Sequence, residues 1–131
     1  MTTGESKNIL IADDDNFFRV RLSDILSEAG HRIRFAASGM EVIEEIRKNP
    51  SGIDLLTLDL QMPDIDGFGV LEWINENGYK GRFQVLVVTG MSEPSHVLER
   101  LKSLGAAGLM TKAFKPEDTI FRINKMLFPG K

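Results

Sequence analysis

Apolar runs of strand length alternate along the sequence with segments in which apolar residues recur at helical spacing. The runs predict strands at residues 8–12, 32–36, 55–59, 84–89 and 108–112. The third run contains Leu55, Leu56 and Leu58, which is typical of a strand covered on both faces. In the second run, Ile33 and Phe35 alternate with arginines, which indicates a more exposed strand near a sheet edge.

The segments between the runs carry apolar residues three or four positions apart, which predicts amphipathic helices. Asp15 or Asn16 can cap the first helix, and Pro116 suits the first turn of the last one. The residues expected to face the core are Phe18, Leu22, Ile25 and Ala29; Met40, Ile43 and Ile46; Phe68, Leu71 and Ile74; Val97, Leu101 and Leu104; and Ile120, Ile123 and Leu127.

Strand and helix alternate five times with short connections between them. This pattern predicts an α/β protein with a parallel five-stranded sheet, helices on both faces and right-handed crossovers. The chain has 131 residues and no interdomain linker, so we expect residues 1–131 to form a single domain.

Composition narrows the classes of function. The net charge of -3 opposes direct nucleic-acid binding, which needs a basic face. No apolar run approaches the roughly 20 residues of a membrane span, and no signal peptide opens the chain. The absence of cysteine excludes disulfides and thiolate chemistry. We therefore expect a cytoplasmic protein that binds neither nucleic acid nor membrane.

Reactive side chains collect at the carboxyl ends of the predicted strands, where ligands bind in sheets of this kind. Three aspartates, residues 13–15, follow the first strand, and Asp59 ends the third. Thr89 ends the fourth strand and Lys112 the fifth, whereas the second ends in small residues. A carboxylate such as Asp59 among apolar residues is costly unless something compensates its charge, and this indicates a functional role.

If the first and third strands are neighbours, Asp13, Asp14 and Asp59 form a carboxylate cluster. Two like charges about 5 Å apart repel by roughly 3 kcal/mol at an effective dielectric near 20, so the cluster needs a cation or must bind protons. A site built from carboxylates, without His or Cys, suits Mg²⁺ or Mn²⁺. A metal beside the hydroxyl of Thr89 and the amine of Lys112 suits phosphoryl chemistry, with a carboxylate as nucleophile.

Each of these residues also has a purely structural interpretation. Residues 13–15 can be a helix-capping run, Thr89 a β-forming residue and Lys112 a solvated lysine. Acid, acid, hydroxyl and amine at four strand ends together favour the functional interpretation. We expect both histidines, His31 and His96, to lie at the surface. We expect Met62, Met91 and Met110 to pack against other apolar side chains.

Four motifs give the sequence its resemblance to a known family. They are Ile11-Ala12-Asp13-Asp14, Asp59 with the following Gln61-Met62-Pro63-Asp64-Ile65-Asp66-Gly67, Thr89 before Gly90, and Lys112 before Phe114. With these motifs the sequence resembles the receiver domain of bacterial response regulators from about Lys7 to Leu127. The resemblance implies a flavodoxin-like (βα)5 three-layer sandwich whose strands have the order 2-1-3-4-5.

The resemblance also implies a magnesium site. Asp14, Asp59 and the backbone carbonyl of Gln61 would bind Mg²⁺ directly, and Asp13 would hold the metal through water.

The same resemblance implies a phosphorylation switch. Asp59 would be the phosphoacceptor, and Lys112 would pair first with Asp59 and then with the phosphoryl group. Thr89 would swing to bond a phosphoryl oxygen. The domain would be no enzyme toward other substrates, since it would catalyse only its own phosphorylation and dephosphorylation.

The implied partners are proteins. The phosphoryl donor would be a sensor histidine kinase or a phosphotransfer protein, and the surface of helix four, strand five and helix five would bind an output partner. The sequence leaves open whether the chain is a single-domain regulator or the receiver of a longer protein. It also leaves open a monomer or a phosphorylation-dependent dimer.

Two positions depart from the family pattern. The family usually has Lys-Pro after strand five, often with a cis bond, whereas this chain has Lys112-Ala113; Lys115-Pro116 offers a rival alignment. Three residues before Lys112, Leu109 replaces the family's switch aromatic. Leucine has no ring to move between buried and exposed positions, so the coupling of Thr89 to the output surface is in question.

Three other functions are compatible with parts of the pattern. A degenerate receiver would act as an unphosphorylated interaction module, which only Leu109 and Ala113 favour. A haloacid-dehalogenase-type phosphatase would use Asp13 as nucleophile, but its motif needs Thr or Val where Phe17 stands, and it gives Asp59 no role. A flavin-binding module would need a phosphate loop after strand one, and aspartates there would repel the phosphate.

Overall fold

The computed structural model describes residues 5–90, 94–113 and 115–130, which form a parallel five-stranded sheet with helices on both faces. The strands are β1 (Asn8–Ala12), β2 (Arg32–Ala36), β3 (Leu55–Asp59), β4 (Gln84–Thr89) and β5 (Gly108–Thr111). The helices are α1 (Asn16–Glu28), α2 (Gly39–Lys48), α3 (Gly67–Glu76), α4 (Ser95–Ser103) and α5 (Pro116–Leu127). The sheet order is β2-β1-β3-β4-β5, so the flavodoxin-like fold and the strand order are confirmed.

Two apolar layers, one on each face of the sheet, form the core. Side chains of a strand alternate between the faces, so Ile9 and Ile11 of β1 pack with α1 and α5, whereas Leu10 packs with α2 and α3 on the other side. Every residue of the central strand β3 is buried. Because β1 and β3 lie side by side in the middle of the sheet, their carboxyl ends deliver Asp13 and Asp59 to adjacent positions.

The predicted edge strand is confirmed. β2 pairs with β1 alone among the described strands, and Phe35 remains 46 % exposed. The predicted fifth strand is one residue too long, since β5 ends at Thr111 and Lys112 follows it.

Some helix residues that we expected to face the core do not. Met40 is 46 % exposed because α2 begins at Gly39 and its buried stripe runs through Val42, Ile43 and Ile46. In α1 the buried position is Leu26 in place of Ile25, which is only half-buried. None of the helices in the described parts of the chain has the length and apolar composition needed to cross a bilayer.

The expectation of a surface position was wrong for His31, which is buried against α5 and the segment before β1. Its Nδ1 accepts a hydrogen bond from the Lys7 backbone N–H at 3.2 Å, so the ring proton is on Nε2, which lies 3.4 Å from Asn124 Oδ1. The ring stacks on Phe128 at 6.4 Å between centroids. Burial lowers the pKa of His31, with Lys7 adding to that effect and Asn124 and Asp54 opposing it. His96, by contrast, is exposed as expected.

We predict that acid weakens the fold through His31. Because its pKa in the folded state is lowered, the unfolded chain binds the proton first as pH falls below about 6.5, and stability is lost. Protonation also places a hydrogen on Nδ1 opposite the Lys7 N–H. Between pH 7.5 and 5.5, wild type should lose about 1 kcal/mol more than His31→Gln, the scale of one hydrogen bond. Urea unfolding measures this difference.

His96→Gln is the matched control for this experiment, because it removes an exposed imidazole. It should follow the pH dependence of wild type. Parallel curves for wild type and His31→Gln would contradict the prediction.

Candidate functional site

A carboxylate cluster lies at the carboxyl ends of β1 and β3, as predicted. One oxygen each from Asp13, Asp14 and Asp59 lie within 4.8 Å of one another. Asp13 and Asp59 are buried, at 1 % and 5 % exposure, whereas Asp14 is exposed. The cluster is therefore open to solvent on the Asp14 side.

The three consecutive aspartates have different environments. The backbone N–H of Asp13 donates to Ala36 O at 3.0 Å, and its Oδ1 accepts from the Asp15 N–H at 2.9 Å. Asp15 caps α1 by accepting hydrogen bonds from Phe17 N at 3.0 Å and Phe18 N at 3.3 Å. The helix-capping interpretation thus holds for Asp15, while Asp13 and Asp14 belong to the cluster.

Lys112 bridges the two buried carboxylates. Its Nζ lies 2.8 Å from Asp13 Oδ2 and 3.3 Å from Asp59 Oδ2, and it also lies 4.8 Å from the centroid of the Phe18 ring. The backbone of Lys112 is fixed by a hydrogen bond from its N–H to Thr89 O at 2.7 Å. The rival Lys115 is exposed at the N-terminus of α5. Of the two alignments, the structure brings Lys112 to the cluster.

The electrostatics of the site are unbalanced, because one lysine faces two buried carboxylates. Burial and, next to it, the charge of Asp13 together raise the pKa of Asp59 to about 6, against smaller opposing effects of the Gln61 N–H and Lys112. For Lys112, burial lowers the pKa, but Asp13 and Asp59 outweigh it and the net direction is upward. The amine therefore stays charged while Asp59 holds its charge at a cost.

The donor set fits a divalent cation. Asp13 Oδ2 has Lys112 Nζ as its charged partner at 2.8 Å, and carboxylate oxygens of Asp14 and Asp59 lie close to Asp13. Three carboxylates that share one amine have an excess of negative charge, and they supply the hard oxygen ligands that Mg²⁺ prefers. Of the expected ligands, Gln61 is exposed, and its N–H donates to Asp59 Oδ1 at 3.2 Å.

Thr89 lies where the sequence placed it, buried at the end of β4. Asp59 pairs with Val88 in the sheet register, so Thr89 is one residue farther along the neighbouring strand. Residues 91–93 and 114 lie outside the described parts of the chain, so the expected packing role of Met91 stays untested.

The sequence model of the response regulator receiver domain matches residues 9–124. This chain belongs to the response regulator receiver domain family.

The receiver is similar to curated proteins of two lengths. It is 29 % identical over 121 residues to the chemotaxis protein CheY of Thermotoga maritima. This alignment covers 92 % of this chain and 97 % of that protein. It is 32 % identical over 122 residues to the regulatory protein VanRc of Enterococcus gallinarum, covering 93 % of this chain and 50 % of that protein. The receiver thus spans nearly all of one relative and half of the other.

The receiver also matches solved structures. A response regulator from Chloroflexus aurantiacus superimposes with a TM-score of 0.83 at 28 % identity, covering 94 % of this chain and 98 % of that one. Because the chain belongs to the response regulator receiver domain family, it belongs neither to the phosphatase family nor to the flavin-binding family considered above.

A glycine whose role the sequence did not predict holds the loop that follows Asp59. A Cβ on Gly67 would lie 2.7 Å from Asp59 O and 2.8 Å from Leu60 Cα. The N–H of Gly67 donates to Leu60 O at 3.0 Å. The close return of the chain after β3 therefore requires glycine at the start of α3, where the sequence indicated only a loop boundary.

The two departures from the family pattern have simple structural outcomes. No described peptide bond is cis, so the bond between Lys112 and Ala113 is trans. Leu109 is half-buried and packs on the core layer that contains Leu101. A cavity of about 400 Å³ lies beside it, lined by residues of α4, β5 and α5 that include Leu98 and Arg122.

We predict that Asp59→Asn stabilises the metal-free receiver by about 2 kcal/mol at pH 7.5. A pKa raised from 3.8 to about 6 corresponds to a few kcal/mol before solvent screening and relaxation reduce it. Because the folded-state pKa is raised, the neutral carboxyl group of Asp59 stabilises the fold, and this stabilisation is fully present below the unfolded pKa. It is lost as pH rises through about 6 and the group ionises. The advantage of the variant should therefore shrink at pH 4. Urea unfolding at both pH values measures it.

The exposed Asp24 on α1 gives the control for this prediction, and Asp24→Asn should leave stability within about 0.5 kcal/mol of wild type. An Asp59→Asn variant that is less stable than wild type at pH 7.5 would contradict the assigned electrostatics.

Proposed function

We propose that this receiver takes a phosphoryl group on Asp59 in a two-component phosphorelay and that the reaction depends on Mg²⁺. Asp14, Asp59 and the backbone carbonyl of Gln61 would hold the metal, with Asp13 acting through water. The observation that carries the proposal is the buried pair Asp13 and Asp59, whose two charges meet the single amine of Lys112 at 2.8 and 3.3 Å.

Asp59 has the chemistry of a nucleophile. With a pKa of about 6 it is mainly ionised near pH 7.5, so a carboxylate oxygen can attack phosphorus. In transfer from a phosphohistidine, a carboxylate O–P bond forms, the P–N bond breaks, and the imidazole nitrogen keeps the electron pair. The product is an acyl phosphate on Asp59.

The neighbouring groups suit the charge that accompanies this transfer. The amine of Lys112 already lies beside Asp59 Oδ2 and can pair with a phosphoryl oxygen. The hydroxyl of Thr89 can donate to another one. When bound, Mg²⁺ supplies positive charge that offsets the negative charge of the phosphoryl oxygens. Water attack on the acyl phosphate would reset the domain, so no other substrate is needed.

The proposed partners follow from the family. The donor is a sensor histidine kinase or a phosphotransfer protein, residues 1–131 form one receiver domain, and this domain works in the cytoplasm. The output partner binds the surface formed by α4, β5 and α5. The cavity of about 400 Å³ beside Leu109 supports that assignment, because α4, β5 and α5 all line it and it has room for a partner side chain.

We predict a Mg²⁺-dependent phosphate adduct on Asp59. Incubation with acetyl phosphate, followed by intact-mass measurement, should show one adduct in wild type and in Asp24→Asn. The adduct should be absent from Asp59→Asn and from wild type without Mg²⁺, because the nucleophile or the metal is then missing.

Other outcomes favour the alternative functions. No adduct on a folded wild type that binds Mg²⁺ would favour the degenerate receiver. An adduct that persists in Asp59→Asn would move the nucleophile to Asp13 or Asp14, as in the phosphatase alternative.

A further inference from the structure

Asp64, five residues after the phosphoacceptor, has an unusual backbone conformation. Its φ is 66°, and it is the one non-glycine residue with positive φ among residues 5–90, 94–113 and 115–130. Residues other than glycine rarely adopt this backbone conformation, and among them Asp and Asn tolerate it best. A residue persists in this conformation only where the surrounding structure holds it there, so the contacts of Asp64 call for an explanation.

The side chain of Asp64 reaches a different element of the fold. Its Oδ1 accepts a hydrogen bond from Gly39 N at 3.1 Å and its Oδ2 from Met40 N at 3.3 Å. These N–H groups open helix α2, where a carboxylate is favoured by the helix dipole. The helix does not depend on Asp64 for its cap, because Ser38 Oγ already accepts from Glu41 N at 3.2 Å.

The backbone of the loop also presses on the start of α2. A Cβ on Gly39 would lie 2.2 Å from Ile65 O, so glycine is required at this contact. The loop and the helix therefore meet both through the Asp64 carboxylate and through direct backbone contact.

The loop tied down in this way is the one that carries Gln61. At one end, Gln61 N donates to Asp59 Oδ1 at 3.2 Å. At the other, Asp66 caps α3 by accepting from Gly69 N at 2.9 Å. Asp64 lies between these two attachments and supplies a third one, to α2. The hydrogen bonds of Asp64 are the ones that the structure gives between side chains of residues 62–65 and α2.

We propose that Asp64 is a positioning residue for the metal site: by anchoring the loop after β3 to the N-terminus of α2, it fixes the Gln61 backbone for Mg²⁺ binding. The inference rests on the proposed function, since Gln61 is a metal ligand only there. Asp64 touches neither the metal nor the phosphoryl group in this role. Residues that orient metal ligands in this manner commonly affect metal affinity.

The test compares Mg²⁺ binding by titration calorimetry in wild type and three variants. Asp64→Gly permits the left-handed backbone but removes the carboxylate, and should bind Mg²⁺ about tenfold more weakly. Asp64→Asn also tolerates this backbone and keeps one acceptor oxygen, so its affinity should fall between those two. Ser38→Ala is the matched control, because it removes the other cap of α2 without touching the loop, and its affinity should match wild type.

Amide hydrogen exchange gives a second readout. In Asp64→Gly the amides of Gly39 and Met40 should exchange faster than in wild type, since they lose their acceptor. Wild-type Mg²⁺ affinity in Asp64→Gly, or equal weakening in Ser38→Ala, would overturn the positioning role and leave the proposed function standing. A wild type that binds no Mg²⁺ would overturn both.

Discussion

The repulsion between two buried carboxylates, Asp13 and Asp59, is the constraint on which the rest of this structure depends. Lys112 touches both but neutralises only one charge, and the pKa of Asp59 rises to about 6 as a result of burial and of Asp13. Such an arrangement destabilises the unliganded fold. The same excess of negative charge makes this a cluster that could hold a divalent cation.

The fold supplies the force that holds these charges together. β1 and β3 are central strands buried in two apolar layers, so neither can shift to relieve the repulsion. Local devices then fix the loops that follow them: Asp15 caps α1 after β1, and Gly67 allows α3 to begin close to Asp59. Asp64 connects the second loop to α2. The stable apolar core therefore holds an electrostatically unfavourable site at the carboxyl ends of the strands.

Much of this could be predicted from the sequence, because apolar runs and helical spacing report directly on burial. The strands were placed nearly to the residue, and the carboxyl ends of parallel strands meet at one edge, so Asp13, Asp59, Thr89 and Lys112 could be grouped in advance. The strand order could not be derived from periodicity, since any adjacent pairing has the same pattern along the chain. It came from the resemblance to receivers.

The features that the sequence did not predict depend on contacts between distant segments. His31 is buried because Lys7 and Phe128, far away in sequence, close over it. Met40 was expected in the core because it lies three residues before Ile43, but the face of α2 that packs on the sheet begins at Gly39, and Met40 lies outside it. Asp64 reads as a loop residue until its contact with α2 is seen.

The most direct measurement is the titration of the Asp59 carboxyl carbon by NMR, without metal and with saturating Mg²⁺. Electrostatic imbalance in the cluster predicts a pKa of about 6 without metal, and a clear decrease when Mg²⁺ is added. A metal-free pKa near the ordinary value of about 3.9 for aspartate, unmoved by Mg²⁺, would mean that Lys112 already balances the cluster and that the site has no electrostatic demand for a metal.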